Sequence, residues 1–209
     1  MRRQVLAVSA VVLYNTWIAW PLNGGPDALL GYVSELAAAD QPFSWFFRAG
    51  DIAAAVVFAL IALLGRRGWE AWLGQRWARR VCLALAGVTV GTVLDVIFNL
   101  PCAESRDASC AAMPSLQRHL HETASAITSV AEVAMITLVA LALAARDGWT
   151  RRARQAAQLA GVVTVLLLTS AVAPYALPGV QGPIQIVQIL LCSLWIAYLA
   201  WQLPQEQHD

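Results

Sequence analysis

Long uncharged apolar runs, separated by short polar segments, are the first feature of this chain. A helix needs about 20 predominantly apolar residues to cross a bilayer. Six runs reach or approach that length: Gln4 to Pro21, Phe43 to Leu64, Val81 to Leu100, Leu116 to Ala145, Ala156 to Leu177 and Pro183 to Leu203. Backbone polar groups in hydrocarbon must be satisfied within the spanning element, so runs of this length predict helices. The expected fold class is all-α, a polytopic six-helix transmembrane bundle forming one domain over residues 1–209. The fourth run is long enough to tilt or to project beyond the bilayer. Between the runs stand turn-forming residues, Leu-Asn-Gly-Gly-Pro at 22–26, Pro101, Pro114 and Gly179 to Pro183.

Composition agrees with this pattern and narrows the function classes. Hydrophobic residues make up 59% and charged residues 13% of the 209, against roughly 45–50% and 25% in soluble domains. A disordered chain, a secreted disulfide scaffold and a nucleic-acid binder are all excluded. The net charge of +1 hides an uneven distribution. Eleven of the 14 basic residues, all arginines, flank the first run or fill the segments at 66–80 and 146–154. The positive-inside rule places those segments, and hence both termini, in the cytoplasm of a multi-pass plasma-membrane protein. Trp69, Trp72 and Trp77 interleave with the first arginine cluster, a pattern expected of a segment lying on anionic headgroups. Asp27, Asp40, Glu104 and Asp107 fall on the opposite, outer side. The first run begins like a secretory signal but lacks a small-x-small cleavage site directly after it, so it reads as a retained span.

Cys102 and Cys110 bracket a short outer loop, where an oxidising compartment permits a disulfide. The alternative is two free thiols. Cys82 and Cys192 lie within spans and read as packing residues.

An ionisable side chain inside a span costs about 2.5–3.5 kcal/mol on insertion scales, so each one needs a reason. Arg48 and Asp51 open the second span, and their i, i+3 spacing allows them to pair on one helix face. Asp95 and Asn99 close the third span, and His119, His121 and Glu122 open the fourth. Asn15 in the first span and Gln185 and Gln188 in the sixth share their depth, so five helices bring polar groups to one outer layer. His121, Ser125, Thr128 or Ser129, and Glu132 form a stripe along the fourth helix that must face the bundle interior. Glu132 lies deeper and also fits a hydrogen-bonded core carboxyl. Gly87 and Gly91 form a small-residue ridge for close helix approach.

Two kinds of chemistry fit this layer. His121 as general base or metal ligand, with Asp51, Asp95 and Glu122 as ligands or acid–base partners, would make a hydrolytic centre, and zinc is the metal such a set would suit. Residues two apart on a helix point roughly 200° apart, so His119 and His121 cannot both serve one ion within a helix. Alternatively, the same groups hold helices together, as in an accessory, transport or immunity-type membrane protein.

Tyr32-Val-Ser-Glu-Leu-Ala, Phe47-Arg-Ala-Gly-Asp51, Asn99-Leu-Pro-Cys102 and His121-Glu-Thr-Ala-Ser125 together resemble the bacterial six-span membrane proteins of domain-of-unknown-function family 998. The resemblance covers nearly the whole chain and implies a fold, with no activity attached. It also implies that the outer polar residues form a recurrent site, which adds Ser34 and Glu35 to Arg48, Asn15, Asn99, Ser125, Gln185 and Gln188 as ligand-binding candidates. A more distant similarity, to seven-span metal-dependent lipid hydrolases related to alkaline ceramidases, would imply zinc. The expected role is binding or processing of a lipid or another amphipathic small molecule at an outward-facing pocket.

Overall fold

The computed structural model describes residues 2–205; His208, expected on the cytoplasmic tail, lies outside them. Among these residues eight α-helices appear: α1 (Arg2–Tyr14), α2 (Ser44–Gly68), α3 (Glu70–Leu73), α4 (Gln75–Ile97), α5 (Ala108–Ala111), α6 (Leu116–Asp147), α7 (Arg151–Ala176) and α8 (Gln181–Trp201). Three short 3-10 segments, Thr16–Asn23, Pro26–Leu29 and Val33–Ala37, link α1 to α2. Among the described residues, six helical stretches are long and apolar enough to cross a membrane, the first running from Arg2 through Asn23. The protein is an all-α, multi-pass membrane protein.

The six long helices pack in chain order around a ring, each on the next, with α8 returning to α1. Local sequence explains where they begin and end. Ser115 and Thr150 cap α6 and α7 by accepting hydrogen bonds from the Arg118 and Ala153 amides. Gly148, with φ at +72°, ends α6 in a conformation other residues rarely adopt. α4 stops at Ile97, shortly before Leu100, which precedes Pro101 and is therefore biased away from helix.

The first span departs most from expectation. Its α-helix ends at Tyr14, and the rest winds as a 3-10 segment with Ala19 out of helical geometry and Pro21 inside it. Asn15 provides the reason, because its amide donates back to the Val11 carbonyl at 2.7 Å and across to Ser193 Oγ at 2.8 Å. That competes with continuation of the α-helical ladder.

The arginine end of the ring is dry. Trp69, Val81, Leu85, Met135, Ile136, Val139, Ile196 and Leu199 are fully buried in one apolar cluster. Trp69 therefore departs from the headgroup position expected of it. Its indole N–H donates to the Leu199 carbonyl at 3.1 Å, and Gly65 makes room for the ring, since a Cβ there would sit 2.5 Å from it. Farther along, Gly87 and Gly91 do form a close-approach ridge. A Cβ on Gly91 would stand 2.9 Å from the Thr128 backbone nitrogen, and one on Gly87 would stand 3.1 Å from the Ala131 Cβ.

Candidate functional site

At the opposite end the ring opens into a cavity of about 100 Å³. One water needs roughly 10–15 Å³ on the same measure, so the space takes several waters or one small polar group. α1, the following 3-10 segment, α2, α4, α6 and α8 all contribute to its wall, together with the Val33–Ala37 segment.

That segment is stapled across the cavity. The Val33 amide donates to Gln185 Oε1 on α8 at 2.6 Å. Glu35 is buried and accepts from the Tyr32 amide at 3.2 Å, the Ser105 amide at 3.1 Å and the Ser105 hydroxyl at 2.5 Å. Asp40 accepts from the Ala103 amide at 3.1 Å. The loop that receives these bonds is closed by a Cys102–Cys110 disulfide, with the two Cα atoms 6.5 Å apart. Arg118 pairs with Glu104 and also donates to the Ala111 and Cys110 carbonyls at 3.0 and 2.9 Å. Burial raises the Glu104 carboxyl above its ordinary range, and Arg118 opposes that shift. Asp107 is held below its ordinary range by the Ser109 hydroxyl and the Cys110 amide.

The carboxyl end of α4 organises the wall. Its last carbonyls have no partner within the helix, and side chains from two neighbours come to them. Arg48 donates to the Val96 carbonyl at 3.4 Å, and just past the helix Gln117 donates to the Asn99 carbonyl at 2.5 Å. His121 Nδ1 lies 3.4 Å from the Asp95 carbonyl and 3.5 Å from the Asp95 carboxylate. A carbonyl oxygen only accepts, so a proton sits on Nδ1, which leaves Nε2 as the other polar atom of the ring. That atom is buried without a partner, as are Arg48 Nε and Asn99 Nδ2.

The expected Arg48–Asp51 pair does not form: among the described residues no ion pair within 4.0 Å joins them. The negative end of the α4 dipole draws the guanidinium across instead. Asp95 accepts from the Ser125 hydroxyl at 2.8 Å. Glu132 forms the inner end of the wall, accepting from Tyr14 Oη at 3.0 Å and Gln188 Nε2 at 3.3 Å.

The candidates thus divide. Arg48, Asp51, Asp95, Asn99 and His121 line the cavity, as do Ser34, Ser125, Gln185 and Gln188. Asn15 is engaged with Ser193 and accepts from the Trp17 indole at 2.9 Å. Glu35 serves the loop staple. Glu122 is exposed, 3.3 Å from His119. Among the described residues no three His, Cys, Asp or Glu side chains are grouped to hold a metal ion. Tyr14 and Thr92 line the cavity without having been foreseen. Tyr14 carried a usable signal, being a polar-tipped residue beside Asn15 at the end of an apolar run.

A family model described as "Protein of unknown function (DUF998)" matches residues 5–202, and the chain belongs to that family. No curated protein and no solved structure matches it.

Proposed function

We propose that this chain holds the polar headgroup of a lipid, or of another amphipathic small molecule, in the cavity at its loop-rich end. One observation carries the reading. Arg48 Nε on α2, Asn99 Nδ2 just past the end of α4 and His121 Nε2 on α6 are buried without partners, on residues that line one cavity. Leaving a buried polar atom unpaired costs about 1–3 kcal/mol, and a bound polar ligand would relieve that cost. Eleven arginines at the other end support reading this end as the outward-facing one of a plasma-membrane protein with both termini inside. The disulfide in its loop suits an oxidising compartment. A cavity of about 100 Å³ is of a size that suits one small polar group and is too small for acyl chains.

A second reading rests on the α4 terminus, where Arg48 and His121 act only as caps for its carbonyls. Native mass spectrometry of the purified chain separates the two. Under the binding reading the wild-type protein carries a lipid or small-molecule mass. Asp95→Asn and His121→Ala lose it while folding in normal yield. If the wild type carries no such mass and His121→Ala folds poorly, the polar layer is helix packing alone.

A further inference from the structure

The unsatisfied atoms of the cavity name the kind of group it takes. Arg48 Nε and Asn99 Nδ2 are hydrogen-bond donors without an acceptor, and His121 Nε2 is a ring nitrogen without a partner. Asn99 and His121 are each only 5% exposed. The end of α4 gathers all three. Arg48 comes from α2 to the Val96 carbonyl at 3.4 Å, and His121 comes from α6 to the neighbouring Asp95 carbonyl at 3.4 Å. Asn99 stands just past the last turn. Their anchor points thus fall within residues 95–99, roughly 6 Å of helical rise. A single ion would need the three atoms to converge on one point, whereas a short row of hydroxyls needs only one opposite each atom. The carboxyls on the same wall create no demand for a cation, because Asp95 already accepts from Ser125, and Glu132 from Tyr14 and Gln188. An anion would meet those carboxyls and the negative end of the α4 dipole. What remains is a neutral group that accepts from Arg48 and Asn99. A hydroxyl does so, and it either donates to or accepts from His121 Nε2, whichever form the ring takes. Tyr14, Trp17 and Phe47 offer apolar surface to the carbons between hydroxyls. The volume of about 100 Å³ limits the group to a few carbons.

Resting on the headgroup reading above and deepening it, we propose that the cavity selects a small neutral polyol group. Its hydroxyls accept from Arg48 Nε and Asn99 Nδ2, and one faces His121 Nε2. The glycerol headgroup of a monoacylglycerol and free glycerol both carry this chemistry.

The test uses the full chain purified in detergent and glycerol-free buffer. It is incubated separately with monooleoylglycerol, methyl oleate, monooleoyl lysophosphatidic acid or dilute glycerol, and retained ligand is counted by native mass spectrometry. Methyl oleate keeps the acyl chain and lacks hydroxyls, and the lysophosphatidic acid carries a phosphate in place of one hydroxyl. Monooleoylglycerol is expected to be retained at least about tenfold better than either, as loss of two hydrogen bonds predicts. Arg48→Lys, which keeps the charge and removes Nε, and Asn99→Leu, which removes the amide, should each weaken its retention about five- to tenfold. If one variant folds poorly, the other carries the comparison, and if both do, the wild-type probes decide it. Retention of glycerol but not of monooleoylglycerol supports the polyol class and assigns it a soluble source. Equal retention of methyl oleate overturns the proposal, because the hydroxyls then contribute nothing, and so does unchanged retention in both variants. Equal or stronger retention of the lysophosphatidic acid overturns the neutral selection while leaving a headgroup site in place. Retention of none of the four probes overturns the polyol proposal, and the headgroup reading falls with it only if the protein as purified also carries no other small molecule.

Discussion

The two ends of the helix ring solve the same packing problem in opposite ways. At the arginine end, α2 and α4 are joined only by short α3, and Trp69 from that connection fills the space between helices. At the other end, residues 15–43 and 98–115 fold over the ring and are bonded to one another. The helix ends they cover enclose polar side chains and open space. Close packing by large apolar groups makes an end rigid and dry. Stapled loops close an end while leaving room inside it. The contrast explains why a cavity sits where the chain has its longest connections.

The comparison is broken most strongly at its dry end. Trp69→Ala removes a fully buried indole and its bond to Leu199, and should cost about 3–5 kcal/mol. Thermal unfolding in detergent measures this. A loss below about 1 kcal/mol would mean that the arginine end is not the rigid half.

A smaller effect is expected at the stapled end. Cys102→Ser opens a loop with a separation of eight residues, which loop-closure entropy values at roughly 2–3 kcal/mol. Hydrogen exchange should show faster opening at 98–115 and little change at 66–80. Equal loosening at both ends would show that the two halves are not independent.

The smallest effect is predicted inside the cavity. Asp51→Asn leaves no partnered guanidinium stranded, because Arg48 bonds to Val96 instead. Its cost should stay below about 1 kcal/mol, against about 3–5 kcal/mol for breaking a buried ion pair. A loss of the larger size would show that Asp51 does compensate Arg48.

Much of this arrangement was legible from local pattern. Each span is a run of about 20 apolar residues, a property of contiguous sequence that needs no knowledge of neighbours. Depth was also legible. Asp51, Asp95 and His121 each lie a few residues from the same end of their spans, so the helical rise brings them to one layer, and the cavity lies there. Direction was not. Glu35 and Ser34 are adjacent in sequence, yet one staples a loop and the other faces the cavity. His121 turns inward while Glu122 is exposed.

What the sequence by itself determined is which segments cross the membrane and how far along them each polar group sits, since both follow from distance along a helix axis. Tertiary structure alone decided the partners. The open carbonyls of α4 attract Arg48 away from Asp51, and the space above Gly65 takes Trp69 out of the headgroup layer. Glu132 acquires Tyr14 and Gln188 from helices far away in sequence. Rotation about each helix axis is set by the neighbours it packs against, and those neighbours exist only once the ring has closed.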